Sequence, residues 1–345
     1  MSHADEGLVW AWSGFGTAGA VVTNTDGAQY RSSSRQSRGA DKSPDAGVDS
    51  RLGLQANLNV GDTFSAVGQV LVSRGVDGMR PQLEWLFGQA SVTPWLDLKA
   101  GRMVLPVFLV SDSRNVGYAA HWVRAPNEVY SLFPLTSFDG GQAQIRTDWA
   151  GTHFTLQASG GRSTVDIYGY GSKITVDVKK AYALNLLAER GDWTFRLGGV
   201  TTPDAKLKGL PVALPPVTDN FLGVGVIYDN GSQLVQGEYV IRRQGDGGAF
   251  DSDSYYVTAG QRWGAWMPYA TYSRFVPKGD VLFVGSDRLA TVAAGVRWDA
   301  FRGVAIKAQV ESADVSATSF VNVSPALAGR RAKVTVFTLL ADFVF

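Results

Sequence analysis

The hydrophobic period of this chain is two along almost its whole length. Apolar residues alternate with polar or small ones in Leu52-Gly53-Leu54-Gln55-Ala56-Asn57-Leu58, in Leu96-Asp97-Leu98-Lys99-Ala100 and in Ala143-Gln144-Ile145-Arg146. The beat returns in Phe154-Thr155-Leu156-Gln157-Ala158 and in Val304-Ala305-Ile306-Lys307-Ala308-Gln309-Val310. Successive side chains of a strand point to opposite faces, so this pattern divides each segment between two environments, which a helical period of 3.6 does not do. Apart from short turns between residues 110 and 135, no segment carries an amphipathic helical repeat. An all-β fold follows.

The connections count the strands. Tight ones carry turn chemistry at Gly61-Asp62, Thr93-Pro94, Ala150-Gly151, Gly191-Asp192, Asn230-Gly231, Gly264-Ala265 and near Asp299 to Arg302. Long ones, rich in Gly, Ser, Asp and Pro, fall near residues 24–47, 74–80, 107–139, 163–179, 203–218, 243–251, 276–287 and 315–330. Seven turns and eight loops predict a sixteen-stranded antiparallel β-barrel, one domain over residues 1–345, with all tight turns at one end. A soluble β-sandwich shares the alternation. Tryptophan placement argues for the membrane: Trp95, Trp149, Trp193, Trp263, Trp266 and Trp298 lie beside tight turns, and Trp10 and Trp12 open the first strand at the same end. A soluble core would bury such rings in mid-strand, whereas a bilayer gathers them at the headgroup level.

Composition removes other functions. Charged residues make up 18% of the chain, below the roughly 25% of soluble domains, and 32 basic against 31 acidic residues leave a net charge of +1. A nucleic-acid partner, which needs a basic surface, is excluded. The absence of cysteine removes disulfides, Cys zinc sites and thiol nucleophiles, and His3, His121 and His153 are too far apart in sequence for a recognisable metal-ligand spacing. Gly14-Phe15-Gly16 and Gly223-Val224-Gly225 lead into no helix, so neither makes a phosphate cradle. Asp49, Asp251 and Asp253 are read as solvated loop ends, with a calcium site as the lesser alternative. No catalytic residue, cofactor or metal is expected. No apolar run of 18 residues occurs, and Met1-Ser2-His3-Ala4-Asp5 is read as a mature start from which an export signal has been removed.

At the other end Phe337, Leu339, Ala341, Phe343 and Phe345 alternate toward a terminal aromatic. This resembles the signature read by the outer-membrane barrel assembly machinery, which makes that machinery a partner through Phe345. Lys99-Ala100-Gly101-Arg102, followed by Leu132-Phe133-Pro134-Leu135-Thr136-Ser137-Phe138-Asp139-Gly140-Gly141, is similar to the segments that flank the long third loop in the Gram-negative general porin superfamily. The resemblance covers essentially the whole chain. It implies outer-membrane localisation, contact with lipid and lipopolysaccharide, a homotrimer, and passive diffusion of small hydrophilic solutes. Two departures stand out: the second loop is shorter than the latch of many trimeric porins, and the third lacks a Pro-Glu-Phe-Gly-Gly string.

If apolar residues face lipid, the alternate positions face the lumen. They include Arg51, Lys99, Arg102, Arg146, Arg196, Arg242, Arg262, Arg297 and Lys307 against Asp97, Glu238 and Glu311, a cationic wall. Arg102 is off the phase of its strand and reaches the lumen only through a bulge near Gly101 or by the family analogy. Loop 107–139 carries Phe108, Tyr118, Trp122, Tyr130, Phe133 and Phe138, too many rings for a free loop, and folding it inward would bury them. The expected constriction therefore sets wall residues Lys99, Arg102, Arg146, Arg196 and Lys307 against loop residues Asp112, Glu128 and Asp139, with anions preferred. The rival reading is a closed adhesive barrel that binds a partner through its outer loops.

Overall fold

The computed structural model describes residues 7–169, 171–245, 251–278, 288–315, 322–323 and 332–345. Sixteen of its strands close into one barrel. They are β1 (Leu8–Thr23), β2 (Arg51–Val60), β3 (Phe64–Gly75), β4 (Gly78–Thr93), β5 (Leu96–Val104), β6 (Ser137–Trp149), β7 (Thr152–Gly169) and β8 (Ser172–Arg190). The second half comprises β9 (Trp193–Lys208), β10 (Val217–Asp229), β11 (Gln233–Gln244), β12 (Ser252–Gln261), β13 (Trp266–Pro277), β14 (Leu289–Phe301), β15 (Val304–Val315) and β16 (Ala332–Val344). Each pairs antiparallel with its chain neighbours, and β16 returns to β1 in a register that sets Phe15 opposite Val344 and Thr23 opposite Val336. Among the described residues, the barrel itself therefore has no edge strand.

Seven tight connections close one end, with Gly61, Gly151, Gly191, Gly231, Gly264 and Gly303 supplying the positive φ that other residues resist. At the opposite end two connections are shorter than their composition suggests. β3 and β4 stay paired up to Gly75 and Gly78, and β7 and β8 up to Gly169 and Ser172, where the composition predicts long loops at 74–80 and 163–179. The reason is that alternation persists through Val165, Ile167, Ile174, Val176 and Val178, and polar neighbours pair across the strands. Lys173 bridges Asp166 at 2.6 Å and Asp77 at 3.2 Å, tying the two hairpins together.

The outer face is aliphatic, with Leu52, Leu54, Leu98, Leu184, Leu197 and Val224 exposed. At the tight-turn end it carries exposed Trp10, Trp12, Trp95, Trp149, Trp193, Trp263 and Trp266, and Trp266 stacks on Trp298 with centroids 5.1 Å apart. Tyr239, Tyr255 and Tyr272 form a second aromatic group nearer the long loops, on β11, β12 and β13. The tryptophan rim and tyrosine group have the form of the two interfacial girdles of a membrane barrel.

The interior is occupied. Residues 105–136 lie inside the barrel, where Leu105, Val107, Phe108, Trp122, Val129, Leu132 and Phe133 pack against inward-facing Phe221, Val240, Tyr256, Tyr269 and Phe275. Residues 24–50, whose polar composition suggests a solvated outer loop, also fold in. Ala28, Tyr30, Ala40 and Val48 form a second buried cluster with Val21, Val334 and Val336. This strap reaches across to β7, where Ser34 accepts a hydrogen bond from the Tyr168 amide at 2.8 Å, and Ala28–Gln29 pair with Asn322–Val323.

Candidate functional site: the passage through the barrel

The inner loop 105–136 is pinned to the wall by buried polar contacts from six strands. Arg196 of β9 donates to the Pro106 carbonyl at 2.7 Å, and Glu238 of β11 accepts from the Leu109 amide at 3.0 Å. Tyr269 of β13 accepts from the Val123 amide, and Arg297 of β14 donates to the Tyr118 and Ala120 carbonyls. Lys307 of β15, fully buried, donates to the Gly117 and Trp122 carbonyls and pairs with Asp342 of β16 at 2.7 Å. From the loop side, Arg124 bridges Asp49 at 2.6 Å and Glu311 at 2.5 Å, and Glu128 accepts from the Ser273 and Thr291 hydroxyls. The burial of so many charges is sustained because each has a partner.

These contacts redistribute the residues expected at the constriction. Arg196, Lys307 and Glu128 are buried between loop and wall and anchor the loop rather than face the passage. Arg102 and Asp139 are on the outer surface, paired at 2.7 Å and opposite each other in the β5–β6 register. Gly101 does adopt a φ of +131°, but both pairings of β5 run through it without a shift, so no bulge turns Arg102 inward. Met103 and Phe138, their chain neighbours, take the inward positions in the core. Lys99, Arg146 and Asp112 do face the lumen. Arg146 is bridged to Asp97 at 2.6 Å, Lys99 donates to Gln144 and lies over the Phe87 ring, and Asp112 stands near Lys99. Asp112 is exposed at the inner surface, yet its enclosure pushes its carboxyl up, with Lys99 and Arg196 acting in the opposite sense. Asp49 and Asp253 do not come together as an ion site: Asp49 serves Arg124, while Asp253 bridges Arg243 and Lys278.

Between the two loops and the wall lies a cavity of about 610 Å³. Its lining runs from Ser32–Gln36 on the strap to Asp229, Arg262 and Asp299, which sit beside tight turns at the other end. Among the described residues, seven arginines and four carboxylates line it. Arg74, Arg124, Arg262 and Arg297 are bridged by Asp45, Asp49, Asp229 and Asp299. Arg35, Arg51 and Arg114 have no ion pair among the described residues, and Glu84 is the carboxylate whose field reaches Arg114. Arg114 is a loop residue, and burial lowers its pKa to about 10, with Arg35 and Arg51 adding to the effect. The charge imbalance is therefore local to three guanidiniums. Of these, lumen-facing Arg51 follows from strand phase and Arg114 from its place in the inner loop, but no periodic signal marks Arg35.

No family model and no curated protein sequence matches the chain. Solved structures do. The anion-selective porin of Comamonas acidovorans aligns over 98% of this chain and 100% of its own, with 13% identity and a TM-score of 0.63. OmpT of Vibrio cholerae aligns over 100% and 99%, with 16% identity and a TM-score of 0.61. OmpF of Salmonella typhi aligns over 97% of each chain, with 13% identity and a TM-score of 0.60. With sixteen antiparallel strands closed on themselves and these end-to-end alignments, the chain has the fold of the outer-membrane porins.

Proposed function

We propose that this chain forms a water-filled channel in the outer membrane, through which small hydrophilic solutes diffuse passively and anions pass best. The observation that carries the reading is the cavity whose lining extends from the strap to the tight-turn end, with three arginines on it that lack carboxylate partners. Fixed positive charge in a narrow tube with low-dielectric walls concentrates anions and repels cations. The bias grows as salt falls, because the screening length rises from about 10 Å at 0.1 M to about 30 Å at 0.01 M. Lys99, Arg146 and Asp112 belong to the lumen on this reading, with Asp97 and Asp112 offsetting part of the positive potential.

The description of the Comamonas acidovorans neighbour as anion-selective supports the sign. A homotrimer accords with one Vibrio cholerae OmpT structure being described as a trimer form, and with the outer face of β1–β5, which carries no tyrosine. The outer girdles face lipid and lipopolysaccharide, and Phe345 is the end presented to the assembly machinery. No step of this function calls for a catalytic residue or a cofactor.

Planar-bilayer recording tests the proposal. Discrete conductance steps and a zero-current potential on the chloride side of a KCl gradient are expected. Silent bilayers across several salts would favour a closed adhesive barrel, and a potassium preference at low salt would overturn the assigned selectivity.

A further inference from the structure

Four of the seven arginines on the passage are matched with a carboxylate, at 2.6 to 2.8 Å. The three that are not are gathered in one place from three separate parts of the chain. Arg51 projects from the start of β2, and its Nη1 donates to the backbone carbonyl of Arg114, on the inner loop, at 3.4 Å. The Nε of Arg51 is buried with no hydrogen-bond partner among the described residues. Arg35 comes from the strap and is held toward the same space by Gln82 on β4 and by Thr136, at 3.4 Å, at the end of the inner loop. Arg114 lies within the field of both other guanidiniums.

The strap presents Arg35 in a fixed position. Tyr168 and Ser34 join it to β7, Arg31 donates to the Tyr168 carbonyl at 3.0 Å, and Asn127 of the inner loop donates to Tyr30 and to the Arg31 carbonyl at 3.1 Å each. Hydroxyls from Ser33, Ser50, Ser73 and Ser113 stand on the same lining. Three guanidiniums held together, with Glu84 near Arg114 and Asp166 within reach of Arg35 as counter-charges, repel one another, and that repulsion is relieved when an anion enters. Guanidinium groups offer paired N–H donors that match the oxygens of carboxylates, sulfates and phosphates, and they do so best against a double charge.

Building on the channel reading, we infer that Arg35, Arg51 and Arg114 form a binding station for doubly charged oxyanions, completed by the strap 24–50. The shared chemistry is a dianion with oxygen acceptors, supplied either by a compact inorganic ion such as sulfate or hydrogen phosphate or by a small dicarboxylate. Monovalent chloride would pass the station, whereas a dianion would dwell there and interrupt the chloride current.

The test uses the full chain in a planar bilayer carrying chloride current at pH 7.5. Sodium sulfate, sodium phosphate and sodium succinate are added separately, each against sodium chloride of equal ionic strength. Concentration-dependent block by one or more of the three is expected, and the three arms identify the preferred source of the dianion. Arg35→Gln should weaken that block about tenfold or more, as should Arg114→Gln, while Arg102→Gln, on the outer face, should leave it unchanged. A second readout is independent of conduction: the blocking anion should raise the melting temperature of the detergent-solubilised protein beyond equal ionic strength of chloride, and Arg35→Gln should abolish that rise. Conducting channels with no block by any dianion, or block that survives Arg35→Gln, would overturn the station and leave the channel standing. Absence of conductance with the thermal shift intact would overturn the channel and leave the station.

Discussion

Arg102 and Asp139 face one another across β5 and β6 on the outside of the barrel, with the arginine Nε 2.7 Å from the carboxylate. Arg162 of β7 stands opposite Asp139 on its other side, so the carboxylate is flanked by two bases. The pair is half-exposed on the outer face, at 38% and 36%. The barrel wall stands between the charges of this pair and the passage, with Glu84 the lining residue whose field reaches Arg102. Replacing both residues by alanine should therefore leave the zero-current potential in a KCl gradient where it was. Replacing Arg51 and Arg114 should move it toward the cation side. A shift of comparable size from the outer pair would show that Arg102 reaches the lumen.

Beneath that pair, Gly101, Gly140 and Gly161 sit in register across three strands. A Cβ on Gly140 would come within 2.1 Å of the Gly160 carbonyl oxygen, a backbone atom that cannot swing aside. Gly101 combines a similar approach to the Leu86 carbonyl with its positive φ. Gly140→Ala should consequently reduce the yield of folded barrel and lower its melting temperature in detergent. Gly68→Ala, whose Cβ would meet only Leu86 at 3.7 Å, should do neither. Equal tolerance of both changes would mean that β6 and β7 are not so closely apposed.

Strand phase and turn chemistry are local, and for that reason the count of connections gives the number of strands and alternation gives the inward direction of Arg51, Lys99, Arg146, Arg196 and Lys307. What an inward side chain then touches is not local. Lys307 and Arg196 also point inward, yet loop residues 190 and 90 positions away in sequence cover them and turn would-be pore charges into anchors. The strap was hidden for a different reason. Its Ser, Gly and Asp content reads as solvated chain, and the few residues that seat it, such as Tyr30 and Val48, are too sparse to show a period. Arg102 was recognisably off phase in the sequence, and there the phase was the better guide than the family analogy.

Lys307 tests the anchoring directly. Its ammonium serves two loop carbonyls and Asp342 in a site closed to water. Lys307→Met would leave the Asp342 carboxylate buried with the Thr17 hydroxyl as its remaining hydrogen-bond donor among the described residues, at a cost of about 3–5 kcal/mol. The variant should unfold at lower temperature in detergent and show noisier open-channel current as residues 117–122 loosen. Removing both charges in Lys307→Met/Asp342→Leu should recover much of the stability, because no unpaired charge is left behind. A single variant as stable as the parent would mean that the pair is not required to hold the loop.

His121 gives the inner loop a defined response to acid. Its ring is 4.2 Å from that of Trp122, centroid to centroid, and its Nε2 is buried without a partner among the described residues. Burial, reinforced by Lys307, Arg262 and Arg297, holds the pKa down to about 3. In the unfolded chain the imidazole takes up its proton near pH 6.5. Between these two values the unfolded state binds the additional proton, so stability rises with pH across that window and falls on acidification, by up to about 1.4 kcal/mol per unit. Above pH 6.5 both states are neutral and the residue contributes no slope. Carboxylates add their own acid sensitivity, and His121→Phe separates the two. Melting temperatures in detergent at pH 7.5 and pH 5 should differ more for the parent than for this variant, while single-channel conductance should show no histidine titration between pH 6 and 7. Equal losses in parent and variant would mean that the ring is already charged, or open to water, inside the folded barrel.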